Sequence, residues 1–368
     1  MGRPQIKYEN VTEGSISTVE AVKGVGLMIL KDDTIATEIK NYKNFAQVLE
    51  AEYTANNFQR ILDVYSNIHQ PSELIIIRIP STGSFTDATK IIEENAINFN
   101  YGVFPEATKT ENTQAISWVQ SHREDTYNLK FWHWIVHIPN TIIDKIYIHN
   151  LTTTNIELED RGVISTGDFL PRLLGLRCGV PFTQSLIKFS VQFKDVKSFD
   201  LPVDPDLAID NGEIILIRNR QCIPVIADDI NTFITFVPTQ DYRMSRSDII
   251  DRIDHINETL VLTYEKRVRG VMTTGYNNKA IVSQAFTSFL KRFAREGNLE
   301  QTFNNRTVID LDRHKDIVVA LGEDPNAYSE IQLLTIDTGV SMYFKNIIRC
   351  PGVAKDLEFI TFLTTTTE

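Results

Sequence analysis

His133-Trp134-Ile135-Val136-His137 is the first stretch whose residue types and spacing could do chemistry. Histidines at i and i+4 share one face of a helix, and with the glutamate of an HExxH motif they would hold zinc and activate a water. That glutamate is absent, and Phe131 to Ile138 is an apolar, strand-like run. On a strand, Trp132, Trp134, Val136 and Ile138 face one way. His133, Ile135 and His137 face the other, which reads as a partly exposed side of a sheet. No carboxylate or cysteine at ligand spacing accompanies the histidines. A metal-dependent hydrolase using His133 and His137 is therefore only the second reading.

Other motifs carry less. Lys23-Gly24-Val25-Gly26 contains GxG but lies before or within a strand, and it lacks the third glycine of a dinucleotide fingerprint. Pro80-Ser81-Thr82-Gly83-Ser84 follows a strand and precedes a helix, where an anion could sit, but no lysine stands at P-loop spacing. It reads as a plain strand-to-helix connection. No GxSxG elbow occurs. The pairs Glu93-Glu94 and Asp228-Asp229 read as solvated surface. No nucleophile, base and oxyanion donor come together, so the expectation is no catalytic residues, no metal and no cofactor.

The elements around these motifs fall into two patterns. Before Gly24 the chain is polar with short alternating patches (Ile6 and Tyr8, then Ile16 and Thr18), an extended arm without a helical stripe. From Gly24, the strands GVGLMILKD, ELIIIRIP, NYGVF and KFWHWIVHI alternate with helical spacing over Asn44–Ile68, Thr86–Ile97 and Asn112–Glu124. That alternation predicts an α/β layer domain over 24–150 with strands covered on both faces. In the second half, Asp168–Gly179 reads as a short apolar helix interrupted by Pro171. The segments SLIKFSVQF, GEIILIRN, CIPVIA and FITFV read as short strands, with Asp210-Asn211-Gly212 as a hairpin signal. Ser247–Tyr264 is an amphipathic helix with Ser247 as its N-cap, and Lys279–Glu296 is another helix. Two alternating strands, around Ser341–Arg349 and Glu358–Thr364, close the chain.

The 368 residues are 42% hydrophobic and 23% charged, which excludes wholesale disorder and leaves ample length for a core. Thirty-seven basic against 48 acidic residues give a net charge of −11, against a protein whose main work is binding nucleic acid. Cys178, Cys222 and Cys350 form neither a disulfide framework nor a zinc ribbon. The N-terminus has no apolar core of signal-peptide type, and the apolar runs fall short of the ~20 residues that span a bilayer. The expectation is synthesis in a reducing cytosol, without membrane insertion.

Collinear features carry a family resemblance. An arm, GRPQIKYENVTEGSISTVEAVKGVGLMILKDD, is followed by STGDFLPRLLGLRCGVPFTQSLIKF, by VDPDLAIDNGEIILI, by TYEKRVRGVMTTGYNNKAIVSQAFTSFLKRFAREG, and by a close in DLEFITFLT. This order resembles the contractile tail sheath proteins of myophages and phage-derived bacteriocins, most specifically over about 160 to 295. The resemblance implies an α+β protein: a β-rich assembly domain (151–357) fed by both termini, with an inserted α/β layer domain (24–150), an N-terminal exchange arm (1–23) and a C-terminal exchange arm (358–368). It implies a structural subunit in helically stacked hexameric rings around a tail tube, with baseplate and tail terminator as further partners. Such subunits assemble in the host cytoplasm and end in the tail of the released particle. Contraction would drive the tube through a target envelope.

The arms fit that role on their own residues. An added strand attaches through backbone hydrogen bonds while alternate side chains fill pockets. Ile6, Tyr8, Ile16 and Thr18 are the expected exchange positions at one end. At the other, Phe359, Thr361 and Leu363 fall on one face and Ile360 and Phe362 on the opposite one. Ten extended residues from Glu358 reach ~33 Å, enough to cross into a neighbour.

Overall fold

A computed structural model describes residues 16–36, 38–188, 193–238 and 240–354. The chain divides into two compact units, Gly24–Asp251 with Pro351–Glu368 and Met1–Lys23 with Arg252–Cys350.

The first unit is built on β1 (Val25–Lys31), β2 (Ile39–Tyr42), β3 (Glu73–Ile79), β4 (Tyr101–Val103), β5 (His133–Val136) and β6 (Ile148–Leu151). With a two-residue strand at Glu213–Ile214 they form one sheet. From that last strand the order runs through β6, β5, β4, β1 and β3 to β2, all parallel except β2 against β3. Near-continuous apolar strands demand cover on both faces. Leu27, Ile29, Trp134 and Val136 point into a core shared with α2 (Phe85–Glu94) and α3 (Lys109–Glu124), while Met28, Leu30, Val103 and Ile135 point into another with α1 (Ala55–Tyr65) and α4 (Thr166–Gly179). The helix starts follow from their sequences. Thr54 and Ser165 accept from backbone N–H groups of the first turn, and capping boxes pair Ser84 with Asp87 and Thr108 with Glu111. Pro80–Ser84 is a strand-to-helix connection, as expected, and its Ser84 also caps α2. Helix α4 runs unbroken through Pro171, and α1 approaches it so closely that a Cβ on Gly175 would lie 2.1 Å from the Val64 carbonyl oxygen.

The expected boundary at 150 falls inside this unit, because Glu213–Ile214 extends the sheet beside β6 and the chain returns to it after an excursion. That excursion contains β7 (Thr154–Leu158), β8 (Gly162–Ile164) and β9 (Val196–Asp200), an antiparallel sheet of order β8-β7-β9. It then enters α5 (Pro205–Asp210); Glu213–Ile214 is numbered β10. A hairpin joins β11 (Leu216–Arg218) to β12 (Pro224–Ile226).

Four sequence expectations differ here. The expected strand SLIKFSVQF holds a 3-10 turn at Leu186–Lys188 where it is described. Asp210-Asn211-Gly212 is no hairpin turn: Asp210 ends α5, capped by Asn211, and Gly212 takes φ +75°, the left-handed form that closes helices as readily as hairpins. Asn44–Ile68 is split into two 3-10 turns and α1, with Thr54 capping the helix. Phe233–Val237 has no ladder among the described residues beyond the isolated Val237–Gln240 bridge.

Helix α6 (Ser247–Thr263) passes from the first unit into the second between Asp251 and Arg252, and ends in a π-turn at Tyr264–Val268. The second unit continues with α7 (Tyr276–Arg295), α8 (Leu311–Ala320) and α9 (Glu330–Thr335) around one antiparallel ribbon, β13 (Arg306–Ile309) with β14 (Phe344–Ile347). The whole is a mixed fold of helices and several sheets, α+β in class.

Candidate functional site

Arginines within the apolar run LPRLLGLRCG must find charge partners, because an unpaired buried cation costs several kcal/mol. Arg177, on α4, is 3% exposed and hydrogen-bonds Asp229, which is 1% exposed. The second Asp229 oxygen accepts from Ser185 Oγ at 2.9 Å and the Leu186 N–H at 3.0 Å. Burial raises the Asp229 carboxyl, but Arg177 and these donors outweigh it and hold its pKa below the usual carboxylate range. Asp228 is buried too, accepting from Arg246 at 2.9 Å. The Asp228-Asp229 pair is therefore internal, not the solvated surface expected from its neighbourhood. The two arginines that neutralise it lie far away in sequence.

Arg177 also donates to Ser247 Oγ at 3.1 Å, and that hydroxyl lies 3.4 Å from His149 Nδ1. Ser247 is the first residue of α6, with its side chain turned into this network. His149 Nε2 stands 3.2 Å from His133 Nδ1, and Tyr101 donates its hydroxyl to Asp251, whose carboxylate is 4.0 Å from His133 Nε2. Burial first, then Arg177 and His133, push His149 well below the ordinary histidine pKa; burial and Asp251 push Tyr101 well above that of a free phenol. The face of the sheet carrying His133 is thus covered at His133 and Ile135, while His137 at its end stays half-buried. The alternation of side chains along β5 is as expected; helices on both sides close it off.

His137 does not join this cluster. Its Nδ1 meets the Leu151 carbonyl oxygen at 2.7 Å. Among the described residues no group of three or more His, Cys, Asp or Glu could hold a metal ion. No described helix is long and apolar enough to cross a membrane.

Of the expected arms, residues 16–23 are described, and so is the chain up to residue 354 that leads toward the C-terminal one. In the second unit Ile16 packs against the cluster of Val268, Val282 and Phe286. The Val19 and Ala21 N–H groups donate to Thr263 Oγ1 at 2.8 Å and Thr259 Oγ1 at 3.0 Å, two hydroxyls one turn apart on α6. Glu20 accepts from Arg292 at 2.7 Å and lies 3.4 Å from His255. Thr18 is half-buried. Neither Ile16 nor Thr18 lies in a strand. In the first unit the Val353 N–H donates to Asp248 at 3.1 Å. Ile6, Tyr8, Phe359, Ile360, Thr361, Phe362 and Leu363 lie outside the described residues. The threonine pair at 259 and 263 was legible as i, i+4 spacing, but nothing local marked it as a dock for residue 19.

The ribbon has two unequal edges. On the β13 side, Thr307 bonds α7: its N–H donates to Thr287 Oγ1 at 3.0 Å, and its carbonyl accepts from Ser283 Oγ at 2.7 Å and Thr287 Oγ1 at 3.1 Å. Among the described residues β14 pairs only with β13. An edge of this kind is a template for a further strand.

No family model matches the chain. A tail sheath protein of Clostridium phage phiCD119 is 24% identical over 358 residues, 96% of either chain. The sheath tail protein of Desulfitobacterium hafniense superposes with a TM-score of 0.65 at 10% identity, over 84% of this chain and 94% of that one. The contracted helical sheath of the anti-feeding prophage gives 0.62 at 10% identity over 99% of each chain. The chain thus carries the tail sheath fold, and its resemblance to contractile tail sheath proteins holds both in aligned sequence and in solved structure.

Proposed function

We propose that this chain is the structural subunit of a contractile tail sheath, surrounding a tail tube and shortening to drive it through a target envelope. The observation that carries the reading is similarity to a phage tail sheath protein over nearly the whole length, 96% of both chains. Subunits stack as hexameric rings and meet a tube protein, a baseplate and a tail terminator. The role is mechanical rather than catalytic. Buried His133 meets His149 while half-buried His137 meets the Leu151 carbonyl, so the two histidines do not converge on one site.

Strand exchange supplies the coupling. Ile6 and Tyr8 from one terminus and Phe359–Leu363 from the other add strands to neighbouring copies, and the edge of β14 that pairs with no strand among the described residues is the acceptor. Ile16 and Thr18 belong to the root, where Thr259, Thr263 and Arg292 hold the segment to its own unit. Deleting Glu358–Glu368 should leave circular dichroism and monomer sedimentation unchanged but abolish the rings or tubes that electron microscopy finds for the full chain. Normal tubes from the truncated protein would refute C-terminal exchange.

A further inference from the structure

The second unit exposes two apolar patches with rims of opposite charge. The first lies at the π-turn and the loop after it. Val271 is 76% exposed and Val340 is 92% exposed, with Tyr276 beside them; the Thr274 hydroxyl donates to the Gly339 carbonyl at 2.7 Å and joins the two loops. Lys266, Arg267 and Arg269 are exposed at its rim and make no ion pair among the described residues. The second lies on α8 and α9, which pack together through the His314 Nδ1 contact with the Leu333 carbonyl at 2.8 Å. There Val319, Leu321 and Ile331 are exposed, Ile331 by 74%. Residues 310–330 hold six acids against two bases; Asp316 lies 3.6 Å from Arg313 and Asp312 3.6 Å from Lys345, while Glu323, Asp324 and Glu330 have no ion pair among the described residues.

We propose that the basic patch of one subunit docks on the acidic patch of a second copy. Exposed aliphatic side chains at this density mark an interaction surface. The partner follows from charge. A chain of net charge −11 repels its own kind at long range, so self-association needs a local match, and these rims provide one. The patches are different surfaces of one molecule. Their contact is therefore heterologous, head to tail, and such a contact closes a ring or propagates a helix, unlike a two-fold dimer, which stops. This deepens the sheath reading and rests on it. It names a side-chain contact that acts beside strand exchange and sets which way neighbours face.

Charge reversal tests it. Lys266→Glu with Arg267→Glu, or Asp316→Lys with Glu323→Lys, should each raise the concentration needed for assembly by about tenfold or more, because like charges then face each other. All four substitutions in one chain restore opposite signs and should bring assembly back toward the unaltered threshold. Circular dichroism checks folding. If a reversal unfolds the chain, Lys266→Gln with Arg267→Gln should shift the threshold in the same direction by less. Thresholds unmoved by these changes, or a fourfold variant no better than its parents, would overturn the pairing alone. Failure of the unaltered chain to self-associate at any concentration would overturn the sheath reading as well.

Discussion

At residue scale the molecule concentrates its electrostatic risk in a few buried side chains around Arg177. His149 is fully buried between a guanidinium network and a second imidazole, and its pKa lies well below the ordinary value of about 6.5. In the unfolded chain it would titrate near that ordinary value. The sign follows: above pH ~6.5 both states hold it neutral and it adds no pH dependence. As pH falls further, the unfolded state binds a proton that the folded state refuses, and stability drops by up to about 1.4 kcal/mol per pH unit. Urea midpoints of the first unit between pH 7.5 and 5.0 should fall on acidification, and His149→Gln should flatten that slope whatever it does to stability at pH 7.5. An unchanged slope in the variant would show that His149 is not the group responsible. His255 and His314, in the second unit, are also lowered by burial, so the transitions of the two units must be followed separately.

At element scale, periodicity was legible and partners were not. The both-faces-apolar runs at β1 and β3 could only be strands inside a covered sheet, and the side-chain alternation along β5 could be read from Trp132 to Ile138 without coordinates. What covered the His133 face could not, because α1 and α4 come from either side of it in sequence. Asp210-Asn211-Gly212 failed for a local reason: a left-handed glycine after Asp-Asn serves a helix end as well as a hairpin, and only the Pro205 start with Asp204 as cap decides between them. Asp228-Asp229 failed for a distant one, since Arg177 and Arg246 are 52 and 18 residues away. The arms sit at the limit of this legibility, because a strand pairing within its own chain and one pairing with a neighbour have the same pattern. Proline separates paired from unpaired backbone, since it removes a ladder donor. Ile6→Pro or Tyr8→Pro should impair assembly more than Thr12→Pro, read as tube yield by sedimentation and microscopy. Equal effects at the three positions would mean that the arm is not a paired strand.

At the scale of the whole molecule, the proposed sheath reading raises the question of where an assembly of such subunits keeps its energy. A nucleotide-driven device needs a phosphate cradle, and in the loop read as a possible anion site, Pro80–Ser84, Ser84 pairs with Asp87 to cap α2. The alternative is mechanical. Thr259, Thr263 and Arg292 hold residues 19–21 within the second unit, and Asp248 holds Val353 within the first, so packing between copies can change without breaking these bonds. A lattice with two packings needs only a modest difference per subunit, a gap on the order of a few kcal/mol, because on the proposed reading strand exchange couples the copies and sums it over the assembly. Contraction of extended particles should then proceed to the same fraction with or without ATP and Mg²⁺, and brief heat or mild denaturant should trigger it irreversibly. Counting contracted particles by microscopy decides the matter: contraction that strictly requires added nucleotide would place the energy outside the sheath and overturn this account.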